Sequence, residues 1–570
     1  MPPIGSQSQP LVRNGPPKPD PRPVLLAAQR NVGEVRSILA AYGLRNLDQA
    51  DRNLDAMAGD PTQRRRLAEI LPMLMESISR TADPDQALNH WERLLAGVSR
   101  ASFLDYLRTW PRMLDLLCVI FGNSDALAFA LIRDPTLVYW LAEEEVLSRP
   151  PIRKGMEGAL RKSIGHLTTK EVKLDALRRF RRREMLRIGV RDLFRLATVT
   201  ETTGALSDLA CLLIHAAYGI VDADLKQQYG VPMHPNRQGR WVETKFTVIG
   251  MGKLGGHELN YSSDVDLIYL YESHDGETRA PRGGRAASPA GVGISNEEYF
   301  EILARELTRV LVEPTREGHV FRVDLRLRAE GSIGQLARSL SSYQRYYLSR
   351  GQVWERLALI KASAVAGSSD LGKAFVKAVR PFIFGDGSKP PDLVQASSVI
   401  EEVRAVKEMI DDKMADRGHE RRNVKLGTGG IREIEFLVQT IQVLVGKRVP
   451  TIVDGGTLGA LDRFARRKLI STRERNDLTA AYLFLRDVEH KLQMVQDLQT
   501  HALPESGIEL ERCAIRLGYD SEDRAQASER FRQDYRHHTD VVRRMFRSLF
   551  FSPHTSALLN AALQAAARNA

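Results

Sequence analysis

Residues 247–271 read TVIGMGKLGGHELNYSSDVDLIYLY, a glycine-rich turn followed by two aspartates separated by one valine. Val265 to Tyr271 is rich in β-branched, aliphatic and aromatic residues, which predicts a buried strand. Alternate side chains of a strand share a face, so Asp264 and Asp266 project together. Two carboxylates side by side at the head of an apolar strand repel each other and resist burial unless a cation lies between them. A divalent metal resolves that conflict. Mg2+ suits best, a hard ion commonly held by one or two carboxylates, with water and substrate phosphate completing its octahedron. The glycines just upstream let backbone N–H groups approach a phosphate closely.

Gly250, Gly252 and Gly255 also match the G-x-G-x-x-G dinucleotide pattern behind a strand. Spacing argues against that reading, because a parallel crossover needs a dozen or more residues and only HELNYSSD separates Gly256 from Val265. A P-loop fails too, since leucine follows Lys253 and the upstream glycine spacing is missing. What survives is a glycine pair, a short link and Asp-x-Asp on a strand.

Upstream, Trp241 to Ile249 alternates as a strand does. Downstream, HDGETRAPRGGRAASPAGVGISN is a Gly/Pro/Ser/Arg segment, read as a mobile loop over 274–296. Ser295 then opens a helix that Pro314 ends. In VFRVDLRLR a third strand is expected, with Val323, Leu325 and Leu327 on one face and Arg322, Asp324, Arg326 and Arg328 on the other. That polar face is either a sheet surface with an Asp–Arg pair, or Asp324 joins the first two aspartates while the arginines meet phosphate. Farther on, Lys425, Gly427, Gly429 and Gly430 form a tight loop before a helix carrying Arg432, Glu433 and Glu435. Its N-terminus could hold an anion, or the glutamates could simply favour the helix dipole.

From about residue 31 to 235 the apolar spacing is helical, with Ser124 or Asn123 and Pro135 at helix starts and Trp91, Trp110 and Trp140 as core anchors. Helices return after residue 335. The 570 residues exceed one ordinary core. A composition 43% apolar and 27% charged is that of a soluble globular protein, and no uninterrupted apolar run approaches the ~20 residues of a membrane span. The proline-rich N-terminus reads as a disordered leader over 1–30. Cys118, Cys211 and Cys513 form neither a disulfide set nor a C-x-x-C pair, which fits a reducing, cytoplasmic setting. The net charge of +11 invites a nucleic-acid reading. Much of the surplus is arginine along the run LDALRRFRRREMLRIGVRDLFRLA, which reads instead as a solvated, salt-bridged helix face over a stripe that includes Leu177, Phe180 and Ile188.

Taken together, GMGKLGGHELNYSSDVDLIY, FRVDLRLRAEGSIG, GQVWERLALIKASAVAG, KLGTGGIREIEFLVQ and FLRDVEHKLQMVQDLQTHALP resemble the bifunctional glutamine synthetase adenylyltransferase and adenylyl-removing enzymes, a branch of the DNA polymerase beta-like nucleotidyltransferases. The resemblance spans about residues 95–550. It implies an α+β, mostly α-helical chain: a helical domain over 31–235, a small mixed-sheet nucleotidyltransferase core over 236–367, and a second helical domain over 368–570. Family members carry two nucleotidyltransferase domains. The blocks here are similar to the first, which removes AMP from a tyrosine of glutamine synthetase by phosphorolysis, and no second Asp-x-Asp block follows residue 330. The sequence therefore reads as a separate half or a shortened chain. Ala329, Ser363-Ala364 and Val445 depart from the proline, Arg-Pro and histidine usual in the family.

The resemblance implies that Asp264 and Asp266 bind Mg2+, with Asp324 as third ligand or as the base that readies the nucleophile. Lys253 and the amides around Gly255 and Gly256 would hold phosphate oxygens, Ser263 would add a hydroxyl, and Arg326 and Arg328 would neutralise developing charge. Lys253 could also be a plain surface lysine. Glutamine synthetase, the PII signal protein, adenine nucleotides and phosphate are the implied partners, with no nucleic acid and no membrane. Forward transfer of AMP from ATP, and a non-catalytic regulatory subunit, are the alternatives.

Overall fold

The structure, a computed structural model, describes residues 18–27, 31–280, 293–385, 393–415, 422–505, 507–519 and 523–551 together with 560, 561 and 564. Most of the leader expected over 1–30 and residues 281–292 of the loop expected over 274–296 lie outside these. The chain divides into two compact units, 1–139 and 140–570. It is mostly helical with small mixed sheets, as expected.

The first unit is helical throughout its described residues. Ser124 caps the helix Asp125–Arg133, accepting from the Leu127 N–H at 3.2 Å. Trp91 is a core anchor, edge-on to Phe121 with ring centroids 5.3 Å apart, and its indole N–H donates to Cys118 Sγ. Trp110 is not: it is 61% exposed, because it sits at the junction where one helix stops at Thr109 and Pro111 starts the next. The alternation that counts along a helix does not carry across such a break.

In the second unit the arginine-rich run becomes the helix Lys170–Leu193. It is not the solvated face expected. Leu177, Phe180 and Ile188 are buried, but so are Arg178 and Arg191. Arg178 donates to the carbonyls of Val310 and Glu313, Arg187 to those of Val146 and Arg149, and Arg191 to that of Leu196. Arg178, Arg187 and Arg191 therefore satisfy main-chain carbonyls, while Arg179 and Arg182 pair with Glu317, the salt-bridged part of the expectation. Beside it runs Val199–Tyr229, opened by a capping box between Thr198 and Glu201. By length and composition this helix could cross a membrane, yet 61% of its most apolar window is buried inside the fold.

Eight strands form two sheets among the described residues. β1 (Val231–Pro235), β2 (Trp241–Glu243), β3 (Phe246–Gly250), β4 (Val265–Tyr271), β5 (Glu277–Arg279), β6 (Val323–Asp324), β7 (Ala337–Ser339) and β8 (Ser363–Gly367) follow in chain order. β2, β1 and β5 make a small antiparallel sheet, while β6, β4, β3 and β8 run side by side in the larger one and β7 extends along β4. The single strand expected over 241–249 is thus two, split at Thr244–Lys245 and belonging to different sheets. β3 and β4 pair antiparallel, Gly250 opposite Leu267 through Phe246 opposite Tyr271. That direction excludes a dinucleotide crossover, as the short link requires.

β6 and β7 both pair with β4 in parallel, so the sheet is mixed. The third strand expected over VFRVDLRLR has only two residues, because the chain turns from Leu325 to a left-handed Glu330. Residues 274–280 and 293–296 flank the undescribed loop segment as paired backbone: the Thr278 N–H donates to Ile294 O at 2.8 Å, and Ser295 caps the helix Asn296–Val312.

The larger sheet and the helices after residue 368 share one apolar core, in which Ile249, Ile268 and Leu270 join Leu437, Leu485 and Phe531. Three helices, Ile431–Val445, Thr472–Met494 and Arg524–Phe550, supply most of its far side.

Candidate active site

β4 begins at Val265, whose neighbours Leu267 to Leu270 are fully buried, so the strand is fixed by its apolar residues and its head projects from the sheet. There Asp266 lies in register with Asp324 of β6, one strand across, and Asp264 precedes it by two positions. All three line one cavity of about 890 Å³ together with Ser263, Lys253 and Arg326.

The three carboxylates are differently placed. Asp264 Oδ1 accepts from Arg322 Nε at 2.9 Å and Oδ2 from Gln499 Nε2 at 3.4 Å. Asp324 is clasped by Arg326, with Nε at 3.0 and 2.9 Å and a terminal nitrogen at 2.5 Å. Burial raises the Asp324 carboxyl, but the Arg326 bonds outweigh it and hold it below its usual value. No hydrogen bond or ion pair among the described residues reaches the Asp266 carboxylate. Burial first, then Asp324, push it up to about 6.

Gly252 explains how Asp266 comes so close to the turn. Its φ is +53°, and a Cβ there would collide with Asp266 Oδ2. Gly255 and Gly256 are glycines for another reason: side chains would strike Lys361 O and Gly455 O. Their amides are not free for phosphate as the sequence reading expected, because the turn closes into a helical loop. Gly255 N–H donates to Met251 O at 2.9 Å and Gly256 N–H to Gly252 O at 3.1 Å. Arg328 is also committed elsewhere, since its guanidinium donates to the carbonyls of Leu325, Ser332 and Gly334 and holds the turn after β6. Arg326 remains at the rim, its side chain 80% exposed.

Lys253 is neither a surface lysine nor a free one. Its Nζ donates to both oxygens of Glu489 at 2.9 Å, and burial lowers the ammonium to about 7. Burial would raise Glu489, yet Lys253, His501 and Arg486 together hold its carboxyl well below the usual range. A second such pair lies behind the turn, where Lys361 Nζ contacts Glu258 at 2.9 Å and Glu435 at 3.3 Å. Both tie the glycine turn to helices more than seventy positions away.

The rest of the lining comes from residues the sequence reading left unresolved or missed. Lys425 and Arg432, from the KLGTGG loop and its helix, line the cavity within electrostatic reach of Asp266, and Trp354, Leu357, Val406 and Phe436 add apolar lining. Their separation along the chain gave no local signal. The first-turn amides of that helix are committed within the chain: Ile431, Arg432 and Glu433 donate to Val424 O, Lys425 O and Gly430 O.

Among the described residues no three His, Cys, Asp or Glu side chains are gathered closely enough to hold an ion. The donor set nevertheless fits a hard cation. Asp266 is unpaired beside a side-chain-free Gly252, and the Arg326 on Asp324 ends an exposed stem, while the Arg322 on Asp264 is half-buried and also donates to Ser262.

Comparison with known proteins gives the class and then its relatives. The chain is of the nucleotidyltransferase class. Residues 114–378, just under half of the chain, match the family model glutamate-ammonia ligase adenylyltransferase. Residues 404–550 match a second model, GlnD PII-uridylyltransferase. The chain is 38% identical over 444 residues to the bifunctional glutamine synthetase adenylyltransferase/adenylyl-removing enzyme of Nitrosococcus oceani, covering 78% of this chain and 43% of that one. It is 37% identical over 448 residues to the protein of the same name from Thioalkalivibrio sulfidiphilus, covering 79% and 43%. The chain thus spans less than half the length of these relatives.

Proposed function

We propose that the chain removes AMP from a tyrosine of glutamine synthetase by phosphorolysis, a cytoplasmic reaction that regulates nitrogen assimilation. The observation that carries the chemistry is the register of Asp266 against Asp324, with Asp264 beside them in a cavity roomy enough for a nucleotide. The direction rests on the resemblance of the five sequence blocks to the first nucleotidyltransferase domain of the bifunctional relatives. The PII signal protein is the proposed regulator, in keeping with the second model matched at 404–550.

Asp264, Asp266 and Asp324 would hold Mg2+. When bound, the ion withdraws charge from phosphate oxygens and orients them. Inorganic phosphate attacks the adenylyl phosphorus, the bond from phosphorus to the tyrosyl oxygen breaks, and ADP forms. The proton of the attacking hydrogen phosphate passes to the tyrosyl oxygen as the new phosphorus–oxygen bond forms; should Asp324 not ligate the ion, it is the base for that transfer. Arg326, exposed at the rim, turns from Asp324 toward phosphoryl oxygens as charge develops. Apolar Trp354, Leu357 and Phe436 exclude water from one side of the cavity.

The test mixes the chain with adenylylated glutamine synthetase, magnesium and phosphate and follows ADP. Phosphate-dependent release that vanishes in Asp264→Asn supports removal. AMP transfer from ATP to the unmodified enzyme would instead establish the forward direction, and binding without turnover a regulatory subunit.

A further inference from the structure

Lys425 and Arg432 stand out against the rest of this cavity. Three aspartates line it, and in the same cavity, within electrostatic reach of Asp266, stand two cations from a single tight loop and the first turn of the helix Ile431–Val445. The loop is locked. Asn423 Oδ1 accepts from the N–H groups of Lys425 and Leu426 at 3.1 and 2.8 Å. Gly429 sits at φ +74° against Thr539 O, and at Gly430 a Cβ would press on the carbonyls of Val424, Gly427 and Lys425. This backbone spends its own amides, so what it delivers to the cavity is side chains.

Arg432 is partly neutralised, with a nitrogen 3.4 Å from Glu435 and its guanidinium over the Phe436 ring at 5.6 Å. Glu435 is shared with Lys361. No hydrogen bond or ion pair among the described residues reaches Lys425 Nζ. Burial and the neighbouring Arg432 both act to discharge it, with Glu489, Glu435 and Asp266 opposing from farther off. Two neighbouring cations, one unpaired, thus line the same cavity as the three aspartates.

We infer that Lys425 and Arg432 form the subsite for a phosphate dianion, holding the inorganic phosphate that attacks the adenylyl group. The inference rests on the adenylyl-removing reading for its choice of ligand. The arrangement suits displacement at phosphorus, since cations hold the nucleophile in the same cavity in which the carboxylates govern the phosphoryl group. The same chemistry would also receive the two outer phosphates of ATP, and the test separates these sources.

The experiment is a phosphorus NMR titration of the whole chain in magnesium buffer, first with inorganic phosphate and then with pyrophosphate, on the wild type, Lys425→Met and Arg432→Met. Because Arg432 also packs on Phe436, Lys425→Met is the decisive variant, and its thermal unfolding is expected to match or exceed the wild type. The expected result is phosphate binding that weakens about tenfold or more in Lys425→Met. In the turnover assay the KM for phosphate should rise by a similar factor while the KM for adenylylated glutamine synthetase stays within about threefold. Unchanged phosphate binding in Lys425→Met, or none in the wild type, overturns the subsite. Loss confined to pyrophosphate overturns the attacking-phosphate assignment in favour of a nucleotide. Binding needs no turnover, so failure of the adenylyl-removing reading, seen as absent ADP release, is told apart from failure of the subsite.

Discussion

Lys253 Nζ donates to both carboxylate oxygens of Glu489, 2.9 Å from each, across 236 positions of sequence. The pair joins the glycine turn to the helix Thr472–Met494, and Glu489 is fully buried. Removing one partner strands a buried charge. Glu489→Gln is expected to destabilise the chain by about 3 kcal/mol, whereas Lys253→Met combined with Glu489→Leu recovers most of the loss. Urea unfolding of the single and double variants checks this, and a single variant within about 0.5 kcal/mol of wild type would refute it.

Gly252→Ala tests the close approach of the turn to Asp266. The added Cβ collides with Asp266 Oδ2, and a φ of +53° strains any other residue. Turnover should fall about a hundredfold with stability lowered by about 1 kcal/mol. Gly318→Ala, at φ +88° with open space around its Cβ, carries similar strain without the collision and should keep its turnover.

Asp266→Asn removes a carboxylate that burial and Asp324 disfavour and that Lys425 and Arg432 offset only in part. In metal-free buffer the variant should unfold at a higher temperature than the wild type, while ADP release is lost. Added magnesium should raise the unfolding temperature of the wild type and leave that of Asp266→Asn nearly unchanged. Differential scanning calorimetry of both chains, with and without magnesium, reads the crossover.

His490 gives a pH signature. Burial lowers this imidazole to about 3, with Asp192 only partly opposing. The unfolded chain therefore binds the proton first. Sign and window follow: the neutral ring costs nothing above pH ~6.5, and stability falls as pH drops from there toward ~3, because only the unfolded state accepts the charge readily. His490→Phe, which keeps the edge-on contact with Tyr261, should lack this component. Unfolding free energies of the two chains should run parallel above pH ~7 and diverge below ~6.5, with the wild type losing the more.

The head of β4 was legible because two signals agreed there: an apolar run that buries itself and two charges that cannot. Asp324 was legible through alternation, although its strand proved to be two residues long. The tight turn after it is held by Arg328, whose bonds to three carbonyls leave no periodic trace in sequence. The strand expected over 241–249 was over-read for a similar reason, since Thr244 and Lys245 keep a strand-like composition where the backbone changes sheets. What sequence could not reveal were the long-range pairings. Nothing local to Lys253 specifies Glu489, nor does KLGTGG announce that its lysine will line the cavity of Asp266. Such partners are chosen by the packing of the shared core, which brings the late helices against the sheet.

That shared core governs where this protein can be cut. Excising the sheet at the point where strands give way to helices, near residue 368, would separate Lys253 from Glu489 and Lys361 from Glu435. It would also expose the apolar underside of β3 and β4, where Ile249 and Ile268 are covered. A minimal catalytic fragment therefore has to carry residues through the helix Arg524–Phe550, and a library of truncations should show solubility and activity vanishing together as that end is trimmed.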